Sequence, residues 1–361
     1  MSIKARYLAL NEKINRLFRF FWFKRNYRQR YRSLKKNNIQ RKKLSKNQKN
    51  EIKKVWGKLC MNDYSTHELI YSITGNFNPN YCSALTFGTA LEFELNSTRY
   101  KEAWSDKNFF DLHFSDVRFP NTLAHNIQGV FYDREYNKIE KDDVLSILSW
   151  YSTVVIKPSL DSGNGHGVQL VSVGDNISSV LESYKCDFII QEVLEQYEPI
   201  KAFNPTSVNI IRLNSLFLDG KWSYLSASLR VGAAGSFTDN KVTTDGKGMT
   251  VIGIEEDGSL KEHAYYSCGI RIDKLPNGLD FKGFKLPNFE KAKEIAKSIH
   301  QRMPFARYVG FDIAFDKEGM PVVIEYNINA PGVFYYQLAN GPLFEEKTKD
   351  VIDFINKNKL S

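Results

Sequence analysis

The residues best placed to do chemistry lie in 310–332, GFDIAFDKEGMPVVIEYNINAPG. Two strand-like runs, FDIAF and PVVIEYNI, flank the turn formers Asp316, Lys317, Glu318 and Gly319 and read as a hairpin. With the turn centred between Glu318 and Gly319, Asp312 lies opposite Glu325, and directly opposite residues share a face. Asn327, two residues past Glu325, falls on the same face. The other face collects Phe311, Ile313, Phe315, Val322, Ile324 and Tyr326. Two carboxylates and an amide beside a dense apolar layer are costly unless a cation or a positive substrate offsets them. An oxygen donor set without Cys or His suits Mg²⁺ rather than zinc. An ordinary hairpin with a solvated outer face fits these residues equally well.

A second segment, 153–173, TVVIKPSLDSGNGHGVQLVSV, reads as strand, glycine-rich loop, strand. Ser162-Gly163-Asn164-Gly165-His166-Gly167 sets glycines at alternate positions, so several backbone N–H groups can point at one anion. Lys157, at the root of the loop, adds a point charge for a phosphate. The Walker sequence is absent, and a strand rather than a helix follows, which argues against a dinucleotide fingerprint. A flexible hairpin tip is the plain alternative. A phosphate-holding loop and a Mg²⁺ face in one chain together point to a nucleotide site.

These elements, in this order, resemble the ATP-grasp superfamily: a helix-borne lysine, a strand-end lysine, a glycine-rich flap, a hinge strand, then Asp…Glu-x-Asn. Lys107, in Asp106-Lys107-Asn108-Phe109-Phe110, is similar to the first ATP lysine. Residues 188–194, FIIQEVL, look like the hinge that meets adenine. The resemblance implies adenine contacts from the backbone of Glu192 and Leu194, with Gln191 near the amino group and Val193 in the same stretch. Ser207-Val208-Asn209-Ile210-Ile211-Arg212, Leu229-Arg230-Val231-Gly232 and Thr238-Asp239-Asn240 are similar to motifs of the sugar-transfer-associated ATP-grasp branch, found with surface-polysaccharide genes. Asn209 is counted with the nucleotide-binding residues. The similarity spans about 100–345. His166 and Asn164 stand where many members have more glycine, which implies a stiffer flap.

The resemblance implies an α/β fold with mixed antiparallel sheets, two lobes gripping ATP, the smaller carrying the flap. It implies ATP with Mg²⁺, as two ions or with Mn²⁺ in their place, held by Asp312, Glu325 and Asn327. Lys107 and Lys157 would hold the α- and β-phosphates, and 162–167 would close over the nucleotide. Lys157, Arg212 and Arg230 are the candidate catalytic residues. Each arginine sits in an apolar strand-like run, as a structural ion-pair member or as a fork for phosphate and carboxylate. The implied activity is an ATP-dependent carboxylate–amine ligase working through an acyl phosphate. Its acid would be a small-molecule or glycan carboxylate, such as a uronic acid of a capsule or other surface polysaccharide. A phosphotransferase acting on a sugar or polyol hydroxyl, and a non-catalytic nucleotide-binding, membrane-tethered protein, are the alternatives.

Composition agrees with a globular enzyme: 361 residues, 42% apolar and 14% aromatic. The net charge of +9 conceals a division. Residues 1–60 hold 20 Lys and Arg against Glu12 and Glu51, net +18, and the remainder is net −9. We divide the chain into a basic helical arm (1–60), a linking region (61–150), a small lobe with the flap (151–200) and a large lobe with the Mg²⁺ face (201–361). Four scattered cysteines suggest a reduced, cytoplasmic protein. Within the arm, residues 5–35 lack Gly and Pro and read as helix. Leu10, Ile14, Leu17, Phe18 and Phe21 recur at helical spacing among Arg16, Arg19, Lys24, Arg25 and Arg28. That profile suits a helix lying on an anionic membrane, giving a peripheral protein. Packing of the aromatic stripe on the enzyme body, with the basic face solvated, is the second reading. Nucleic-acid binding is the third and least favoured. Residues 237–248 are polar, and Asn240, Lys241 and Lys247 could face the second substrate. His113, His125, His263 and His300 read as structural.

Overall fold

The computed structural model describes residues 3–160, 162, 165–174, 176–233, 235–236 and 247–358. It is a mixed α/β structure with two antiparallel sheets. The six-stranded sheet contains β1 (Thr122–Ile127), β2 (Val130–Tyr132), β3 (Lys138–Ile139), β4 (Thr153–Pro158), β5 (Gln169–Ser172) and β6 (Phe188–Glu192). They are ordered β3-β2-β1-β6-β4-β5. The boundary drawn at residue 150 therefore falls inside this sheet, because β1–β3 pair onto the hinge strand β6. Val154, Ile156, Phe188 and Ile190 bury one face under helices Lys141–Leu148 and Ile177–Tyr184.

The seven-stranded sheet contains β7 (Ile210–Leu218), β8 (Lys221–Val231), β9 (Thr250–Ile254), β10 (Leu260–Tyr266), β11 (Arg271–Ile272), β12 (Tyr308–Phe315) and β13 (Pro321–Asn327). Its order is β11-β10-β9-β8-β7-β12-β13. Asp219 (φ 48°) and Gly220 (φ 75°) join β7 to β8. Two successive positive φ angles are what a two-residue hairpin with the natural strand twist requires. One face is covered by the amphipathic helix Phe289–Gln301 through Ala292, Ala296 and Ile299. The β12–β13 hairpin keeps Asp312 opposite Glu325 and Phe311 opposite Tyr326, as the sequence predicts. Beyond Asp312 the register shifts, and Ile313 pairs with Val323. The extra residue is Ile324. A bulge re-aims side chains, so Val323 enters the core cluster while Ile324 turns toward the cavity described below.

The arm forms one long helix, α1 (Ile3–Lys36), packed mainly on the short helices between Ser65 and Leu95. Its packing inverts the second reading, in which the aromatic stripe meets the body. The aromatic stripe faces away from the body: Leu10, Ile14, Leu17, Phe18 and Phe21 are all more than half exposed. Along this stretch the contacts to the body are made by arginines together with Phe20 and Phe23. Arg19 bonds Glu92 at 2.7 Å, and Arg16 reaches Glu94 at 3.2 Å. Both guanidinium groups lie over Phe93, at 4.5 and 4.9 Å from its centroid. A basic helix meeting an acidic body selects that face, and buried Glu92 would be costly without a partner. Further along α1, Tyr27 and Leu34 enter the core.

Candidate active site

Four adjacent strands present one row of charge. Arg230 on β8 shares a face with Arg212 on β7, which lies opposite Asp312 on β12, itself opposite Glu325 on β13. Arg212 grips Asp312 with two bonds, Nε to Oδ1 at 2.5 Å and Nη2 to Oδ2 at 2.9 Å. Its Nη1 donates to the Pro331 carbonyl at 2.7 Å. Arg230 approaches Asp312 Oδ1 at 3.7 Å. The neighbouring guanidinium groups hold the Asp312 carboxyl below the ordinary carboxylate range despite its burial. Gly310 belongs to this arrangement: a side chain there would meet Arg212 Cδ at 3.1 Å. The two arginines are thus at once ion-pair members and part of the cavity wall.

The six-stranded sheet contributes from the opposite side. Lys157, at the end of β4, is 7% exposed, and its ammonium has no hydrogen-bond or ion-pair partner among the described residues. Burial, and secondarily the nearby Lys107, push it down to about 8. Lys107, in the short helix Lys107–Phe109, donates to Ser162 Oγ at 2.8 Å and reaches Glu325 Oε2 at 3.4 Å. It therefore bridges the flap root and the hairpin. Gly165 and Gly167 hold positive φ angles of 70° and 74°. A side chain at Gly167 would strike Pro158 Cγ at 2.7 Å. Gly163 and Asn164 lie outside the described residues, as do 237–246, which include Asn240 and Lys241.

Between the sheets lies a cavity of about 910 Å³, lined by Lys107, Lys157, Ser162, Gly165, Gln191, Glu192, Val193, Leu194, Arg212, Arg230, Asp312, Glu325 and Asn327. Residues scattered over the sequence from 107 to 327 thus meet in one space. Among its ionisable lining groups, five cations (Arg30 completes the set) face three carboxylates, an excess of positive charge that suits anionic ligands. The donor chemistry fits Mg²⁺. Asn327 points its amide nitrogen at Asp312 Oδ2, 3.3 Å away, leaving its oxygen free, and Glu325 is only partly buried.

Two expected residues sit differently, and a third lines the cavity with its N–H already engaged. Asn209 does not line the cavity: it is fully buried, and its amide nitrogen donates to the Ile200 carbonyl at 2.9 Å, tying down the chain before β7. His166 is exposed at the flap tip. The Glu192 N–H is already donated to the Asn121 carbonyl at 2.9 Å, whereas the Leu194 N–H makes no bond to described residues. The histidines stay structural. His300, for example, is buried between Ser215 Oγ at 2.7 Å and the Ala306 carbonyl at 2.9 Å. Sequence reasoning missed the wall made by α1 and by the helix Phe334–Asn340: Trp22, Phe23, Asn26, Arg30, Tyr335 and Tyr336. No local signal separates Arg30 from the other arginines of the arm.

A family model for sugar-transfer associated ATP-grasp proteins matches residues 87–352. No curated protein shows a significant match to the sequence. Among solved structures, the ATP-grasp ligase PsnB complexed with a minimal precursor is 15% identical, with a TM-score of 0.42 over 72% of this chain and 64% of that one. The chain thus spans just under two thirds of that relative. D-alanine–D-alanine ligase from Bacillus anthracis is 17% identical, with a TM-score of 0.39 over 71% and 67% of the two chains. D-alanyl-alanine synthetase A from Vibrio cholerae is 11% identical, with a TM-score of 0.45 over 76% and 73%. The family match covers most of the chain, including every lining residue from Lys107 to Asn327, and the chain belongs to the sugar-transfer associated ATP-grasp family.

Proposed function

We propose that this protein is an ATP-dependent carboxylate–amine ligase whose acid is a sugar acid, such as a uronic acid of a surface polysaccharide or its precursor. The observation that carries the reading is Lys157: a buried ammonium without a partner among the described residues, in a cavity with excess positive charge. Such a group calls for an anion from outside. In this reading Lys157 and Lys107 hold the α- and β-phosphates, and the Ser162–Gly167 segment closes over them. Gln191, Val193 and the open Leu194 N–H receive adenine. Asp312, Glu325 and Asn327 would hold Mg²⁺, one ion or two, which when bound neutralises phosphate oxygens.

The substrate carboxylate attacks the γ-phosphorus, and the bond to the ADP oxygen breaks. The amine nitrogen then attacks the acyl carbon, phosphate departs, and the amine loses a proton. Arg212 and Arg230 line the face where charge builds on the transferred oxygens. Exclusion of water by the closed flap protects the acyl phosphate. We also propose that the protein is cytoplasmic and rests peripherally on the inner membrane face. The support is the outward stripe of α1, followed on the exposed helix surface by Arg25, Arg28 and Arg32. No helix among the described residues is long and apolar enough to cross a membrane. Phosphate release should require both a sugar acid and an amine, and hydroxylamine should trap the acyl intermediate. A stable phosphorylated acceptor formed without amine would sink the ligase reading.

A further inference from the structure

The basic arm contributes to the site as well as to the surface. Trp22, Asn26 and Arg30 stand four residues apart on α1, so they form one stripe along the helix, and all three line the cavity. Arg30 is half-buried, and its guanidinium sits in the corner between the Phe334 and Tyr335 rings, 4.0 and 4.5 Å from their centroids. Its N–H fork finds no acceptor among the described residues. The next residue of the same helix, Tyr336, carries the Arg212 guanidinium at 5.2 Å. Arg30 and Arg212 are thus held by consecutive tyrosines. Arg30 belongs to the wall built by α1 and the helix Phe334–Asn340, whereas the adenine-hinge residues 191–194 belong to the six-stranded sheet.

A half-buried guanidinium held between two rings, with an empty fork, is set up for a planar or tetrahedral oxyanion, bound through two N–H groups. A cation at this wall disfavours an incoming ammonium, so it suits the acid substrate rather than the amine. The indole of Trp22 supplies a flat apolar surface for the carbon face of a ring. We propose that Arg30, with Asn26 and Trp22, forms a subsite for a second anionic group, phosphate or carboxylate, on the sugar acid whose other carboxyl is activated. This inference rests on the ligase reading. It also makes the arm a determinant of specificity, although it precedes the family-matched region.

The test uses the full chain loaded with Mg²⁺ and a non-hydrolysable ATP analogue. Calorimetry compares D-glucuronate 1-phosphate with D-glucuronate, on wild type, Arg30→Gln and Arg30→Lys. Wild type should bind the phosphate-bearing acid at least about 10-fold more tightly, the worth of one charge-assisted fork. Arg30→Gln should abolish that preference, and Arg30→Lys should keep part of it, with analogue affinity and circular dichroism unchanged in both. Preference that survives Arg30→Gln overturns the subsite, as does failure of both sugar acids to bind analogue-loaded wild type; the ligase reading then survives on its nucleotide. If wild type shows no Mg²⁺-dependent affinity for the analogue, the ligase reading itself falls and the subsite with it.

Discussion

Asp312 and Glu325 face the same cavity but answer to different constraints. Asp312 is buried and carries two hydrogen bonds from Arg212. Glu325 is partly open, reaches Lys107 at 3.4 Å and interacts with its neighbour Asp312. Asp312→Asn leaves buried Arg212 uncompensated, and we expect a loss of about 3–5 kcal/mol in a denaturation series. Glu325→Gln gives up a single partly solvated ion pair and should cost no more than about 1 kcal/mol. It should still cost about 10²–10³ in Mg²⁺-dependent turnover. Equal destabilisation by both changes would show that the pair is merely structural. Lys157 makes a pH-dependent statement. Nucleotide-free, it deprotonates at about 8, and a bound phosphate raises that value because it favours the ammonium. Affinity for Mg²⁺-bound ATP should therefore be flat below pH 7 and fall up to about tenfold per unit above pH 8. In Lys157→Met the affinity should be weak and this dependence absent. A wild-type titration by calorimetry that stays flat to pH 9.5 would count against a phosphate at this lysine.

Among elements, the β12–β13 hairpin was the most legible. Period two and one turn place Asp312 opposite Glu325, and that survives because two departures cancel: the pairs next to the turn centre it on Glu318, half a residue earlier than expected, and the extra residue Ile324 restores the register at Asp312. The bulge itself was not legible, since alternating Val322, Ile324 and Tyr326 fits an unbroken strand equally well. The flap strands were readable from local composition, and the hinge strand from the family resemblance. The neighbours of β12 were not. Arg212 and Arg230 join the site through long-range pairing of β7 and β8, which no local pattern encodes. The arm was half legible: its helix follows from the sequence, but its orientation depends on Glu92. That carboxylate is 1% exposed and binds Arg19 at 2.7 Å, Lys101 at 2.9 Å and the Ala330 N–H at 2.9 Å. It ties α1 to the segment that follows Asn327. We expect Glu92→Gln to lower the melting temperature and speed tryptic cleavage within 24–36, at a cost of about 3–5 kcal/mol for the broken buried pair. Cleavage unchanged from wild type would mean that α1 is held by its aromatic contacts alone.

At the scale of the whole molecule, α1 presents two different faces. The face of α1 turned to the body closes the cavity with Trp22, Asn26 and Arg30, while the outward face keeps Tyr7, Leu10, Ile14, Leu17, Phe18 and Phe21 in solvent. Six large apolar side chains along one helix form a patch of the kind that marks an interaction surface. The cations that follow on the same surface, Arg25, Arg28 and Arg32, are exposed. Each would contribute about 1 kcal/mol beside an anionic leaflet, within a Debye length. A second copy of the chain would bring like charges together, whereas an anionic vesicle satisfies both the stripe and the arginines. The full chain should therefore sediment with vesicles containing phosphatidylserine or phosphatidylglycerol and not with neutral phosphatidylcholine, and the bound fraction should fall with added salt. Replacing Leu10, Leu17, Phe18 and Phe21 together by Gln should abolish sedimentation, with Mg²⁺-dependent nucleotide affinity unchanged because none of the four lines the cavity. Equal binding to neutral and anionic vesicles, or concentration-dependent dimerisation lost in the Gln variant, would assign the stripe to another partner.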